Sequence, residues 1–209
     1  MPRTRTSALT ILLSIAALTS CSSGGSDGDA GKPITKQLDQ GQIMQALPGS
    51  GEVIREWDPY KGKRVSKADD CALVDSPVPK GWVRAGEAWY IHNGSTDDMA
   101  DVTICLFDSP ENAKSAYAAW KDKDLQEQES KDAVGEESMF LVNPDTQGTV
   151  HALSRSGNVA IKVKVDHTGG DTTGARDMIA ATLKRLQQVQ DGERATATAA
   201  DEAAKAQKK

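Results

Sequence analysis

The chain has 209 residues, with 30 Asp and Glu against 25 Lys and Arg, for a net charge of −5. Its basic residues are scattered and no basic stripe interleaved with aromatics occurs, which argues against nucleic acid as a partner and against adhesion to anionic lipid by charge alone. No stretch is apolar over the roughly 20 residues that a bilayer-crossing helix needs.

Residues 1–20 read as a secretory leader. Arg3 and Arg5 precede the apolar run Ala8–Leu18, and Leu18-Thr19-Ser20 supplies small residues before Cys21. A cysteine at that place resembles the lipobox of bacterial lipoproteins. The resemblance implies a diacylglycerol and further acyl chains of the palmitate type on Cys21, which becomes the mature N-terminus. An exported cysteine after an ordinary cleavage site is the alternative. Each buried methylene contributes about 0.8 kcal/mol, and two or three chains hold a protein durably at a membrane. The partner implied is thus the cell membrane, reached from its extracytoplasmic face through the N-terminal lipid.

Residues 21–34 form a Ser/Gly tether with nothing to bury. Residues 192–209 are a polar, Ala-rich tail. Between them, residues 35–191 suffice for one domain with its own core. Cys71 and Cys105 are an even pair in an exported domain, read most simply as a disulfide with two free buried thiols as the alternative. Neither has a second Cys or His at ligand spacing, so no metal or cofactor is implied.

Within the domain, Thr35–Leu47 is a short helix stopped by Pro48-Gly49. Val53–Trp57 is a strand candidate, residues 61–70 are loop, and Cys71–Val74 is a strand end. Trp82–His92 is a strand or a bent pair of strands, Asn93–Asp98 a turn, and Ala100–Phe107 a strand in which Val102, Ile104 and Leu106 oppose Asp101, Thr103, Cys105 and Phe107. Asp108 or Ser109 caps a helix with Ala113, Ala116, Tyr117 and Trp120 as its buried stripe. Lys121–Asp132, almost all charged or Gln, is a solvated or frayed end. Strands follow at Ser138–Val142, Thr149–Ser154 and Asn158–Val165, the last apolar inside and basic outside. A closing helix buries Met178, Ile179, Thr182, Leu183, Leu186 and Val189, with Arg176, Lys184 and Arg185 outside. The fold class expected is α+β, an antiparallel sheet covered on one face by helices in a two-layer sandwich.

Chemistry is thinly represented. His92, His151 and His167 are the only histidines and none has zinc-type pairing. His151, in mid-strand, is the best placed, although a strand histidine is usually an exposed neighbour. No nucleophile elbow or phosphate loop occurs, and Gly169-Gly170 is a turn. Asp97, Asp98 and Asp101 miss the spacing of a calcium loop. Lys162, Lys164 and Arg155 suggest a small anion-attracting patch, against a plainer role in solubility. Trp89 and Trp120 belong to the core, and Trp57 and Trp82 border turns where an indole can anchor a ligand. The expectation is that no catalytic residue is present.

The order of lipobox, tether, helix ending Leu47-Pro48, Cys71 before a Trp-rich strand, Val102-Thr103-Ile104-Cys105-Leu106-Phe107, Asp108-Ser109-Pro110-Glu111-Asn112-Ala113 opening a helix, and a last amphipathic helix resembles actinobacterial cell-envelope lipoproteins. It also resembles the extracellular sensor domain of membrane serine/threonine kinases. That resemblance implies a non-enzymatic α+β domain outside the plasma membrane. A binding or sensor-like module with a protein or small-molecule ligand is therefore expected first, an envelope lipid or small-molecule carrier second. A hydrolase comes third and needs His151 or His167 to meet a carboxylate and a Ser or Thr in one pocket.

Overall fold

Period-two alternation fixes the architecture. The computed structural model describes residues 31–72, 76–121, 124–129 and 132–208; the leader, Cys21 and Leu73-Val74 lie outside these. Seven strands form one sheet: β1 (Trp57–Ser66), β2 (Trp82–His92), β3 (Ser95–Phe107), β4 (Gln126–Gln128), β5 (Glu137–Asn143), β6 (Thr149–Ser156) and β7 (Val159–Val165). Their order is β1-β2-β3-β7-β6-β5-β4. Every neighbouring pair is antiparallel. Four helices accompany them: α1 (Gln40–Ala46), α2 (Pro110–Ala119), α3 (Thr173–Gln190) and α4 (Ala199–Ala206). The α+β antiparallel sheet expected from the sequence is therefore present.

Val102, Ile104 and Leu106 of β3 join Val159, Ile161, Val163 and Val165 of β7 in the larger core, against Ile43 and Ala46 of α1 and Met178, Ile179 and Leu186 of α3. The intervening Cys105 and Phe107, with Ala160, face a second cluster built on Ala113, Ala116 and Tyr117 of α2 and on Trp120. Helical cover is thus divided between the two faces, with α2 lying opposite α1 and α3. The sequence pattern shows that α2 is amphipathic but not which face of the sheet it meets.

The two sheet edges differ most from expectation. The strand expected at Val53–Trp57 and the loop expected at 61–70 are replaced by β1, which pairs with β2 from Trp57 opposite His92 to Ser66 opposite Ala85. A bulge between Tyr60 and Lys63 accommodates two left-handed residues, Lys61 (φ 58°) and Gly62 (φ 71°). β4 arises inside the stretch expected to be solvated, and its three residues are all exposed. Edge strands exposed on both faces carry no alternation to read, and charges there discourage pairing with other chains. Of the strand end expected at Cys71–Val74, Cys71 closes a 3₁₀ turn over residues 69–71 and Leu73-Val74 lie outside the described residues. The turn after β2 contracts to Asn93-Gly94, both at positive φ (47° and 76°), the mirror-type hairpin turn that suits strand twist.

α1 begins only at Gln40, where Asp39 and Gln42 cap each other reciprocally. The residues before it are extended and packed, with Ile34 and Leu38 fully buried, so the folded part starts ahead of Thr35. Ser109, not Asp108, caps α2 by accepting from the Asn112 amide. The segment read as a polar tail forms α4, opened by a reciprocal Thr198–Asp201 cap, and Ala195 and Ala199 join the larger core.

At the β6–β7 turn, Gly157 sits at φ 58°, where its missing Cβ would lie 1.9 Å from the Ile34 carbonyl oxygen. Gly157→Ala is expected to destabilise by about 2–3 kcal/mol, combining left-handed strain with displacement of the leading segment. Urea unfolding measures it; a change below about 0.5 kcal/mol would show that the leading segment moves aside freely.

Candidate binding site

Register across the sheet brings the chemistry together. On the α2 side, Tyr60, Trp89, Asp101, Lys164, His151 and Leu141 lie directly opposite one another along β1-β2-β3-β7-β6-β5. The adjacent row is Arg64, Glu87, Thr103, Lys162, Leu153 and Met139. Beyond these, Cys105 and Ala160 pass under α2. The first row lies past the end of that helix and stays half-buried.

A groove of about 210 Å³ opens there, lined by Trp120, Leu125, Leu141 and Leu153 on its apolar side and by Asp101, His151, Lys162 and Lys164 on its polar side. A second hollow of about 410 Å³ lies at the other end of the row, between Tyr60, Lys61, Arg64, Trp89 and Met99. Arg64 pairs with the buried Glu87 and its guanidinium lies 4.2 Å from the Trp89 ring centre. Trp89 is therefore a half-buried surface residue, not the core residue expected. Trp120 is core, 2% exposed, and its indole N–H donates to the Cys71 carbonyl at 2.8 Å. Cys71 and Cys105 form the disulfide, which pins the 69–72 segment beside the groove.

Asp101 is the anomalous group. Burial pushes its pKa up to about 6, against the opposing pull of Lys164 and Lys162. Those lysines act through charge, and among the described residues no hydrogen bond reaches the Asp101 carboxylate. Lys162 was expected on the solvated outer face of its strand. It is tucked inward instead, donating to the Asp70 carbonyl at 2.8 Å and lying 5.2 Å from the Trp120 ring centre, and burial lowers its pKa. The basic patch suggested by the sequence is not assembled: Lys164 pairs with Asp166 at 2.9 Å, and Arg155 with Glu136 at 2.9 Å and Glu137 at 3.3 Å.

A carboxyl raised in the folded state costs stability once ionised, so the cost is absent below about pH 4 and complete above about pH 6. Asp101→Asn is expected to stabilise the protein by about 1–3 kcal/mol at pH 7 and by much less at pH 4. Paired unfolding curves at the two pH values test this, and an equal effect at both would remove Asp101 titration as the cause.

The histidines expected as catalytic candidates are divided. His151 is in the strip. His92 and His167 meet at the far end of the sheet, where the Asp98 carboxylate accepts from His167 Nδ1 and its other oxygen lies 3.7 Å from His92 Nδ1. The His167 hydrogen bond holds the Asp98 carboxyl below the usual range. Trp57 packs on His92 with ring centres 5.3 Å apart. Thr168 lines the same hollow, but its hydroxyl donates to the Gly148 carbonyl. That hydroxyl is therefore directed at the Gly148 carbonyl and not at either histidine. Among the described residues, no group of three or more His, Cys, Asp or Glu is placed to hold a metal ion. The described helices include none long and apolar enough to cross a membrane.

No family model matches the chain, and no curated protein does. A solved structure similar to it is the extracellular domain of PknH from Mycobacterium tuberculosis, at 14% sequence identity and a TM-score of 0.44. The match covers 75% of this chain and 98% of that one. At this identity and score the match assigns neither fold family, ligand nor activity.

Proposed function

We propose that the protein is a lipoprotein anchored through Cys21 on the extracytoplasmic face of the membrane, and that its folded part is a non-catalytic, sensor-like binding module. The observation that carries the reading is Asp101, a largely buried carboxylate that no hydrogen bond reaches among the described residues, lining an open groove. Such a group costs free energy until something donates to it. The disulfide suits an oxidising compartment. The lipobox-like leader supports the anchor.

Carriage of a lipid calls for an enclosed apolar space of roughly 300–1,000 Å³. The groove beside Trp120, at about 210 Å³, and the hollow beside Trp89, at about 410 Å³, are both open instead of enclosed, which favours a ligand lying on the sheet.

Native mass spectrometry of the full chain extracted from its membrane is expected to show a co-purified small molecule, lost on Asp101→Leu. Identical spectra for the two proteins would overturn the binding strip. Cys21→Ser is expected to release the protein from the membrane fraction, and retention there would overturn the anchor.

A further inference from the structure

We infer that the strip around Asp101 binds a neutral, polyhydroxylated ligand, a saccharide; this rests on the binding-module reading above. The argument is one of charge and hydrogen-bond matching. Arg64 is balanced by Glu87 and Lys164 by Asp166. That leaves Asp101 and Lys162, of opposite sign and each within electrostatic reach of the other. The middle of the strip is therefore neutral, with Lys61 at its Tyr60 end a further cation, lying 4.9 Å from the Tyr60 ring centre. A cationic or anionic ligand would place an uncompensated charge in a half-buried groove, which is costly. A neutral one would not.

The missing component is a donor for the Asp101 carboxylate. Hydroxyl groups supply it, and the same groups accept from the Lys164 ammonium, whose side chain is 40% exposed. A pyranose also presents apolar C–H faces, which suit the half-buried Trp89 directly across from Asp101 and Tyr60 beyond it. From Tyr60 to His151 the row crosses five strands, about 19 Å at the usual strand spacing, long enough for an oligosaccharide. The hollows at the two ends of the row provide room for its outer sugars.

The test uses the full chain in a sugar-free detergent, with chitotriose, cellotriose and maltotriose as neutral probes, spermidine as a cation and oligogalacturonate as an anion. Binding is read by ligand-observed NMR and tryptophan fluorescence. At least one neutral probe is expected to bind saturably at pH 7.5 and at least tenfold more weakly to Asp101→Leu. Its affinity should also fall severalfold between pH 7 and pH 5 as Asp101 takes up a proton. Asp101 is faced by Glu87 from β2, Lys162 and Lys164 from β7 and Asp166 just after it, and His151 from β6 lines the same groove. The isosteric Asp101→Asn isolates its share: the pH dependence should vanish there, and persistence would overturn the role given to Asp101. Preference for spermidine or oligogalacturonate, or binding of no neutral probe while a co-purified ligand is still lost in Asp101→Leu, would overturn the saccharide class and leave the binding module standing. Absence of both probe binding and a co-purified ligand would overturn both.

Discussion

Replacing Arg185 with alanine is expected to lower stability by about 3–5 kcal/mol. Arg185 is 3% exposed, deep between α3, α1 and the segment leading to α4. Its guanidinium donates to the carbonyls of Ala46, Gln45 and Ala197, each at 3.0 Å, and pairs with Glu52 at 3.0 Å. Truncation deprives three carbonyls of their donor at once and leaves Glu52 with the Gly49 amide in place of its ion pair, and a buried acceptor left without a donor costs about 1–3 kcal/mol. In a domain of this size the melting temperature should drop by roughly 6–20 °C. Arg185→Lys should recover little, because one ammonium cannot span acceptors set out for a planar fork. A loss below about 1 kcal/mol would mean that water takes over the guanidinium's bonds.

Removing the Cys71–Cys105 bridge, by reduction or by a paired change to alanine, is expected to cost about 3–4 kcal/mol on the chain-entropy model. The cysteines are 34 positions apart, a long closed loop. The effect should reach the groove as well. Cys71 contributes the carbonyl that holds the Trp120 indole, and Asp70 the one that holds Lys162. Reduction should therefore red-shift tryptophan emission before global unfolding, and the shift should be absent in a Trp120→Phe background. Unchanged emission on reduction would show that the 69–72 segment keeps its place without the bond.

How far the sequence can be read depends on what each residue faces. β7, with Val159, Ile161, Val163 and Val165 on one side, announces itself because one face is buried throughout. The α2 stripe and the cysteine pair are legible for the same reason: burial demands a residue type. β1 and β4 are not, since most of their side chains are exposed and no alternating buried face marks them. Arg185 misleads because a charged residue in a helix reads as exposed, and only tertiary structure supplies its acceptors. The strip around Asp101 was visible as one half of an alternating strand. What could not be read was that β7 delivers Lys164 opposite it and β2 delivers Trp89, because sheet order is not written in any one strand.

The Ile34 carbonyl accepts from the Asn158 amide at 2.9 Å, and Gln190 clasps the backbone of Thr35 at 2.7 Å. Tension arriving along the chain from upstream of Gly31 is therefore met first at the β6–β7 end of the sheet, by the Lys32–Asp191 contact and these bonds. Asp101 stands opposite Lys164, six residues along β7 from Asn158, or about 20 Å toward the other end. A molecule hung by its leading end would hold that row about 20 Å from the point where the load enters, so that pull on the mooring is borne by the Ile34 and Gln190 bonds and not by the recognition surface.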